Sequence, residues 1–258
     1  MADEEAFELA RAHYPTSLHM LQSHGFRPAT LIDLGAAEAA FLLVRRQLGL
    51  FPEARHFFVD AMEENEPLYR KLGEKFGTGY EIAAVASSEG ETTMRIDPNF
   101  YDTYVEDLRS QADYGERRAV RRTTLDSLVA RHSLKPPFAI KLDLQGGEVD
   151  ALRGGPGTLK QAILVNSEVG VCNERDNLVD LMALMREAGW VLFDITDLSY
   201  ARSNHTLYQV YATFVPVAMD FRRGQAWATE VQFAELRAQL RERRANNIEA
   251  IEELLRNA

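Results

Sequence analysis

Residues 30–39 read Thr30-Leu31-Ile32-Asp33-Leu34-Gly35-Ala36-Ala37-Glu38-Ala39. A short apolar run ends in an acid, a glycine follows two residues later, and an alanine-rich helical pattern begins. That is the order of a buried strand, a tight turn and a helix N-terminus, the way an α/β sheet presents a nucleotide pocket. Asp33 is the informative residue. A pyrophosphate would be repelled by a carboxylate at the strand end, whereas S-adenosylmethionine carries an ammonium and a sulfonium that a carboxylate attracts. Asp-x-Gly here favours the methyl donor over a dinucleotide, although Asp33 as a plain helix cap satisfies the same pattern.

Working outward, residues 37–49 predict a helix with Phe41, Leu42, Val44 and Leu48 on its buried side. Residues 55–60 predict a second buried strand that again ends in an acid, and Asp60 follows Gly35 by 25 residues. In a βαβ pocket that position accepts hydrogen bonds from both ribose hydroxyls, and it is equally a cap for the helix expected over 63–76. That helix should bury Leu68, Leu72 and Phe76. A third strand is expected over 80–87 and a short one over 92–96. From 97 to 118 the periodicity fails, with Pro98, Tyr101 and Tyr114 among charges, so this insertion is a lid or substrate-binding candidate. The run Arg117-Arg118-Ala119-Val120-Arg121-Arg122 reads first as a solvated face paired to acids, and second as a receiver for an anionic group on an acceptor.

The other dense stretch runs Lys141-Leu142-Asp143-Leu144-Gln145-Gly146-Gly147-Glu148. Lys141 and Asp143 are two apart on a strand and so share one side of the pleat. A Gly-Gly turn follows and Glu148 opens a helix. The pattern gathers charge at the carboxyl edge of the sheet, where α/β folds bind ligands. A strand over 162–168 ends in a third acid, Glu168. A helix over 180–188 precedes a hairpin pairing 190–195 with 207–215 across 199–206.

Composition narrows the classes. With 46% hydrophobic and 26% charged residues in 258, the chain is an ordinary globular sequence. Its formal net charge of -10 argues against a nucleic-acid backbone or an anionic membrane as the main partner. Cys172 is the single cysteine, which excludes an internal disulfide framework and a cysteine-built zinc site. The start, Met-Ala-Asp-Glu-Glu, lacks the layout of a signal peptide, and the apolar runs are too short to span a bilayer. A cytoplasmic protein is the expectation.

These motifs together resemble the FkbM family. The likeness rests on Ile32-Asp33-Leu34-Gly35-Ala36, Phe58-Val59-Asp60, Ala84-Val85 through Glu89-Gly90-Glu91, Thr123-Thr124-Leu125-Asp126-Ser127-Leu128, and Lys141 to Glu148 followed by Leu152-Arg153-Gly154. It covers roughly residues 28 to 216. The resemblance implies a class I S-adenosylmethionine-dependent methyltransferase acting on hydroxyls of secondary metabolites or glycans. It also implies a Rossmann-like seven-stranded, mostly parallel sheet with helices on both faces and a late antiparallel hairpin. Where the family usually has an asparagine and, two further on, a glycine, this chain has Ala37 and Ala39. Asp60-Ala61 stands in place of Glu-Pro, and Ser87 in place of an aspartate near the adenine.

The expected organisation is a helical lead-in over 1–27, a methyltransferase domain over 28–220 and a helical extension over 221–258. Asp33, Gly35, Ala36, Asp60, Ala61 and Ser87 are the expected cofactor-binding residues. Asp143 and Glu148 are the candidate bases and Lys141 their orienting cation, with Glu168 and His205 as weaker candidates. These acids lack a metal-ligand spacing, so no metal is expected. The expected reaction is O-methylation of a small molecule or glycan, with no nucleic-acid or membrane partner. The alternative is a non-catalytic cofactor-binding or scaffolding protein on a degenerate methyltransferase fold. A nicotinamide dehydrogenase fits less well, since Asp33 would face the phosphates. In the tail, Val231, Phe233, Leu236, Leu240, Ile248, Ile251 and Leu255 sit in a charged helical pattern interrupted at 241–247, which suggests a homodimer contact.

Overall fold

The computed structural model describes residues 12–98, 103–106, 115–173, 176–219 and 230–257, with the backbone alone at 250–252, 254, 255 and 257. The chain divides into two compact units, Met1–Val217 and Ala218–Ala258. In the first, α1 (Tyr14–Ser23) leads to β1 (Thr30–Leu34), α2 (Ala40–Leu48) and β2 (Arg55–Asp60). A single 3-10 turn at Glu63–Asn65, α3 (Glu66–Phe76) and β3 (Gly79–Ile82) follow. An excursion then makes β4 (Ala84–Val85), β5 (Gly90–Ile96), β6 (Tyr104–Val105) and β7 (Glu116–Thr123). The main path resumes with α4 (Leu125–Arg131), β8 (Phe138–Leu142), α5 (Glu148–Arg153), α6 (Pro156–Leu159), β9 (Ala162–Gly170), α7 (Leu178–Glu187), β10 (Trp190–Tyr200) and β11 (Leu207–Pro216). In the second unit the described residues form one helix, α8 (Glu230–Asn257). It runs unbroken through 241–247, where the sequence pattern suggested an interruption. No described helix is long and apolar enough to cross a membrane.

The main sheet has seven strands in the order β10-β11-β9-β8-β1-β2-β3. Its inner pairs, β1 with β2 and β8, β2 with β3, and β8 with β9, are parallel. The pairs of β11 with β9 and β10 are antiparallel. This is the Rossmann-like sheet with a reversed last hairpin that the resemblance implied. Strand alternation divides the core between the two faces. Phe57 and Val59 of β2 join Ile32, Leu34, Phe138, Ile140 and Leu142 beneath α4, α5 and α7. Phe58 faces the other way and packs with Leu42 and Tyr69 from α2 and α3.

A polar row crosses that second face. Asp33 on β1 is the ladder partner of Lys141 on β8, Lys141 of Asn166 on β9, and Asn166 of Thr213 on β11. Asn166 Nδ2 donates to Thr213 Oγ1 at 2.9 Å, both side chains being buried. Helix α1 lies over this row. Ser17 Oγ donates to Asp194 Oδ2 at 2.9 Å, the Tyr14 amide to Asp197 Oδ2 at 2.6 Å, and the Asp197 amide back to the Ala12 carbonyl at 2.7 Å. The lead-in is thereby tied to the late hairpin.

Several local expectations are corrected. Helix α2 begins at Ala40 rather than at 37, because Ala37 and Ala39 take left-handed φ values of 43° and 59°. The buried residue of α3 is Tyr69, while Leu68 and Phe76 are exposed. The Tyr69 ring stacks on Phe58 and its hydroxyl donates to the Ala37 carbonyl at 2.6 Å, which sets the rotation of the helix. The strand expected over 80–87 breaks at Ala83 and divides between two sheets. The basic run is not a loop end but β7, at the centre of a second sheet ordered β4-β7-β5-β6. Of the insertion expected over 97–118, residues 99–102 and 107–114 lie outside the described residues. The hairpin is longer than expected, with β10 reaching Tyr200.

His56 on β2 is 1% exposed, its ring set against Phe41 and Phe58 at centroid distances of 5.9 and 5.8 Å. Neither ring nitrogen meets a partner among the described residues. Burial, aided by Arg45 and Arg46, lowers its pKa from 6.5 to about 3. The folded state therefore holds the neutral ring, and its contribution to stability is complete above pH 6.5 and lost as pH falls toward 3. The expected slope is about 1.4 kcal/mol per pH unit from this residue alone. Urea denaturation between pH 7 and pH 5 should show a shallower acid loss in His56→Leu than in the parent chain.

Candidate active site

Because β1, β2 and β8 run parallel in register, Gly35, Asp60 and Asp143 arrive together just past their carboxyl ends. They line a cavity of about 550 Å³. Ala61 and Ser87 line it too, as do Glu38, Met62, Asp150 and Arg122. Asp33, Ala36, Lys141, Glu148, Glu168 and His205, singled out in the sequence, are not part of the lining.

Gly35 is required by backbone crowding. Its φ is +74°, and a Cβ there would stand 1.9 Å from the Asp143 carbonyl oxygen. The turn after β1 and the loop after β8 thus touch main chain to main chain. Beneath them Lys141 Nζ lies 3.1 Å from Asp33 Oδ1, 3.0 Å from the Gly35 carbonyl and 3.7 Å from Asp143 Oδ2. Burial alone would lower the Lys141 pKa, but Asp33 and Asp143 outweigh it and leave the ammonium firmly charged. Burial pushes Asp33 up, with Lys141 working against that shift. Asp33 therefore neutralises a buried lysine, and its influence on the cavity runs through Lys141 and Gly35.

Asp60 is held from three sides. Its Oδ2 accepts the Ala37 amide and its Oδ1 the Met62 amide, both at 2.8 Å, with Asn65 as a further donor. Burial raises its pKa and those donors oppose the rise. The capping reading of Asp60 applies, since the side chain binds the turn before α3, and the same residue lines the cavity.

Asp143 is the acid at the mouth of β8. Its Oδ1 accepts from Gln145 Nε2 at 3.0 Å and its Oδ2 from the Tyr211 hydroxyl at 3.4 Å. The Tyr211 ring stacks on Tyr14 of α1 at 4.7 Å. Burial, then the charges of Asp143 and Glu168, push the Tyr211 phenol well above its usual range. The Tyr14 phenol is pushed up to about 12, chiefly by burial. Both stay protonated, and the Tyr211 hydroxyl is the donor to Asp143. No sequence motif marks this tyrosine pair, because it joins α1 to β11 across most of the chain.

Glu148 has a different place from the one expected. Its Oε1 accepts the Leu144 and Gly146 amides at 2.9 and 3.2 Å, and its Oε2 accepts Asn177 Nδ2 at 2.6 Å. It is 2% exposed, and burial raises its pKa against those bonds. Such an arrangement folds the loop that presents Asp143, and Glu148 is turned away from the cavity lining. His205 lies exposed at the hairpin tip. Asp150, missed in the sequence, accepts the Ser87 amide at 3.1 Å and brings a carboxylate to that corner. Its signal was the α5 pattern, in which Asp150 and Glu148 are two apart and so face different ways.

Four carboxylates, Glu38, Asp60, Asp143 and Asp150, thus line one cavity. That acceptor set fits a ligand that is cationic and rich in hydroxyl and N–H donors. The turn holding Asp60 is strained, since an alanine in the left-handed region costs about 1–2 kcal/mol. Ala37 is half-buried and its methyl has little to lose. Ala37→Gly should raise stability by about 0.5–1 kcal/mol after the extra chain entropy of glycine is counted, as measured by chemical denaturation.

The profile described as Methyltransferase FkbM domain matches residues 37–192, more than half of the chain. No curated protein matches. Among solved structures the chain is similar to methyltransferase FkbM from Methylobacillus flagellatus KT, at 14% identity and a TM-score of 0.46. That match covers 71% of this chain and 43% of the other, so this chain spans less than half of that protein. It is also similar to a SAM dependent methyltransferase from Aquifex aeolicus, at 12% identity over 80% of this chain and 92% of that one, TM-score 0.39. A third is Aeropyrum pernix fibrillarin in complex with S-adenosyl-L-methionine, at 7% identity over 73% and 67% of the two chains, TM-score 0.42. The domain match, which covers more than half of the chain, shows that the chain belongs to the FkbM methyltransferase family.

Proposed function

We propose that this S-adenosylmethionine-dependent methyltransferase methylates a hydroxyl group on a small molecule or glycan. The observation that carries the reading is the convergence of Gly35, Asp60 and Asp143 on one acid-lined cavity at the carboxyl edge of the sheet. The bound donor supplies a methyl group made electrophilic by its sulfonium. Asp60, held by two amides, keeps acceptor capacity toward the cavity for ribose hydroxyls. Glu38 lines the cavity next to the turn of Gly35 and suits an ammonium. Ala61 and Met62 offer an apolar wall, and Ser87 with Asp150 offers polar groups at the opposite end.

Methyl transfer from such a donor asks the protein chiefly to align the acceptor oxygen and remove its proton. Asp143 is the proposed base: it faces the cavity, and Gln145 and Tyr211 fix its two oxygens. Lys141 and Glu148 are positioning residues in this reading, the first beneath Asp143 and the second within its loop. The acid lining and the net charge of -10 favour a small acceptor over a polyanion. Self-association through α8 is part of the proposal, supported by the exposure of Val231, Leu240 and Ile248. A truncation after Arg223 that leaves the solution mass at the same number of chains would remove it.

Calorimetric titration with S-adenosylmethionine and S-adenosylhomocysteine should give one site per chain, and Asp60→Ala should weaken both tenfold or more. No binding by the folded protein would favour the scaffolding alternative, with Ala37 and Ala39 as the reason. With labelled donor and a small-molecule extract as acceptor source, Asp143→Asn should abolish methyl incorporation while donor affinity stays within twofold. Retained incorporation would exclude Asp143 as the base.

A further inference from the structure

Strand β7 carries two arginine pairs, and the structure treats them unequally. Arg117 bonds Glu106, Arg118 bonds Glu64 and Glu116, and Arg121 bonds Glu81. Arg122 has no acid among the described residues, and its Nε is buried without an acceptor there. Alternation along the strand sets Arg122 apart from Arg117 and Arg121, while Arg118, on the same face as Arg122, reaches Glu64 and Glu116 nearer the start of the strand. Arg121 points to the side where Glu81 waits. Arg122 follows Val120 onto the face that packs with Met62, Ala84, Met94 and Ile96. Arg122 also lines the cavity, beside Thr92, Met94 and Val105 of the small sheet. The four acids of the lining come from the turn after β1, the end of β2, the loop after β8 and α5, and among the described residues none of them bonds Arg122. The arm of the cavity formed by the small sheet is therefore walled by methionine, valine and threonine side chains and carries one cation among the described residues.

A guanidinium donor taken out of water without an acceptor is costly, and its planar fork matches a carboxylate or a phosphate. We propose that this arm binds an anionic group, carboxylate or phosphate, borne on an apolar part of the methyl acceptor, with Arg122 as the residue that recognises it. The proposal rests on reading the remainder of the cavity as the donor site. It gives the acceptor a class, a small amphipathic anion, and it explains why one arginine of four is left without an acid partner among the described residues.

The test uses the full chain saturated with S-adenosylhomocysteine and 1-anilinonaphthalene-8-sulfonate as the probe, an apolar ring system with one anionic group. The expected result is one probe bound per chain, weakened tenfold or more by Arg122→Met and within twofold of the parent in Arg117→Met. The affinity for S-adenosylhomocysteine should stay within twofold in both variants. Octanoate and octyl phosphate should displace the probe, and the stronger competitor identifies the anion as carboxylate or phosphate. If Arg122→Met does not fold by circular dichroism, Arg122→Gln takes its place. Probe binding indifferent to Arg122, or failure of both competitors, overturns the proposal. So does a tenfold loss of S-adenosylhomocysteine affinity in Arg122→Met, which would assign the arginine to the donor. If S-adenosylhomocysteine does not bind at all while probe binding still depends on Arg122, the donor reading fails and the anion arm stands.

Discussion

A positive charge buried among carboxylates organises this protein. Lys141 Nζ, 13% exposed, lies 3.1 Å from Asp33 and 3.7 Å from Asp143 and donates to the Gly35 carbonyl. One ammonium thereby joins β1, the turn after it and the loop after β8, the three pieces that meet at the cavity. Buried pairs of this kind add little net stability over an apolar replacement, but losing one partner strands the other and costs about 3–5 kcal/mol. What the pair secures is register. A slip of one residue between β1 and β8 would put Asp33 into the apolar face beneath α4 and α5 and leave the lysine alone.

From that pair the polar row continues through Asn166 and Thr213 to the late hairpin, and α1 closes over it. The helix brings Tyr14 onto Tyr211, whose hydroxyl reaches Asp143. Residues from the two ends of the domain thus stack beside one carboxylate, and the Tyr211 hydroxyl, kept protonated by burial, donates to it. The opposite wall of the cavity has another origin. It comes from the small sheet inserted between β3 and α4, which contributes apolar side chains and Arg122. The lining therefore combines four carboxylates with one arginine from the small sheet among the described residues.

The turn after β1 departs from local preference. Ala37 and Ala39 hold left-handed conformations that glycine or asparagine would adopt at lower cost. The surroundings over-determine them. The Ala37 amide binds Asp60, its carbonyl receives the Tyr69 hydroxyl, and Ala39 is buried against Leu42 and Phe58. Strain at a ligand-facing turn, compensated by nearby packing, is where local and global demands are expected to conflict.

The parallel strands, the acid at the end of each and the glycine turn were legible in the amino-acid order, because a buried strand is a local apolar run and Asp-x-Gly is a local turn signal. The class of fold and the membership of Gly35, Asp60 and Asp143 in the edge of the sheet follow from those signals together. The roles of the charged residues were not legible, because charge in a sequence has no address. Asp33 and Lys141 are adjacent only through the β1–β8 register, and Glu148 serves its own loop only because the Gly146-Gly147 turn folds back on it. The separation of Arg122 from Arg117 and Arg121 depends on which face of β7 each one meets, and its separation from Arg118, on the same face, depends on Glu64 and Glu116 lying within reach of Arg118. The sequence by itself determined the strands, the turn and the chemistry available at the sheet edge. The tertiary structure decided which of those charges neutralise one another and which face the cavity, since pairing between residues far apart in the chain is set by register and packing and leaves no local mark.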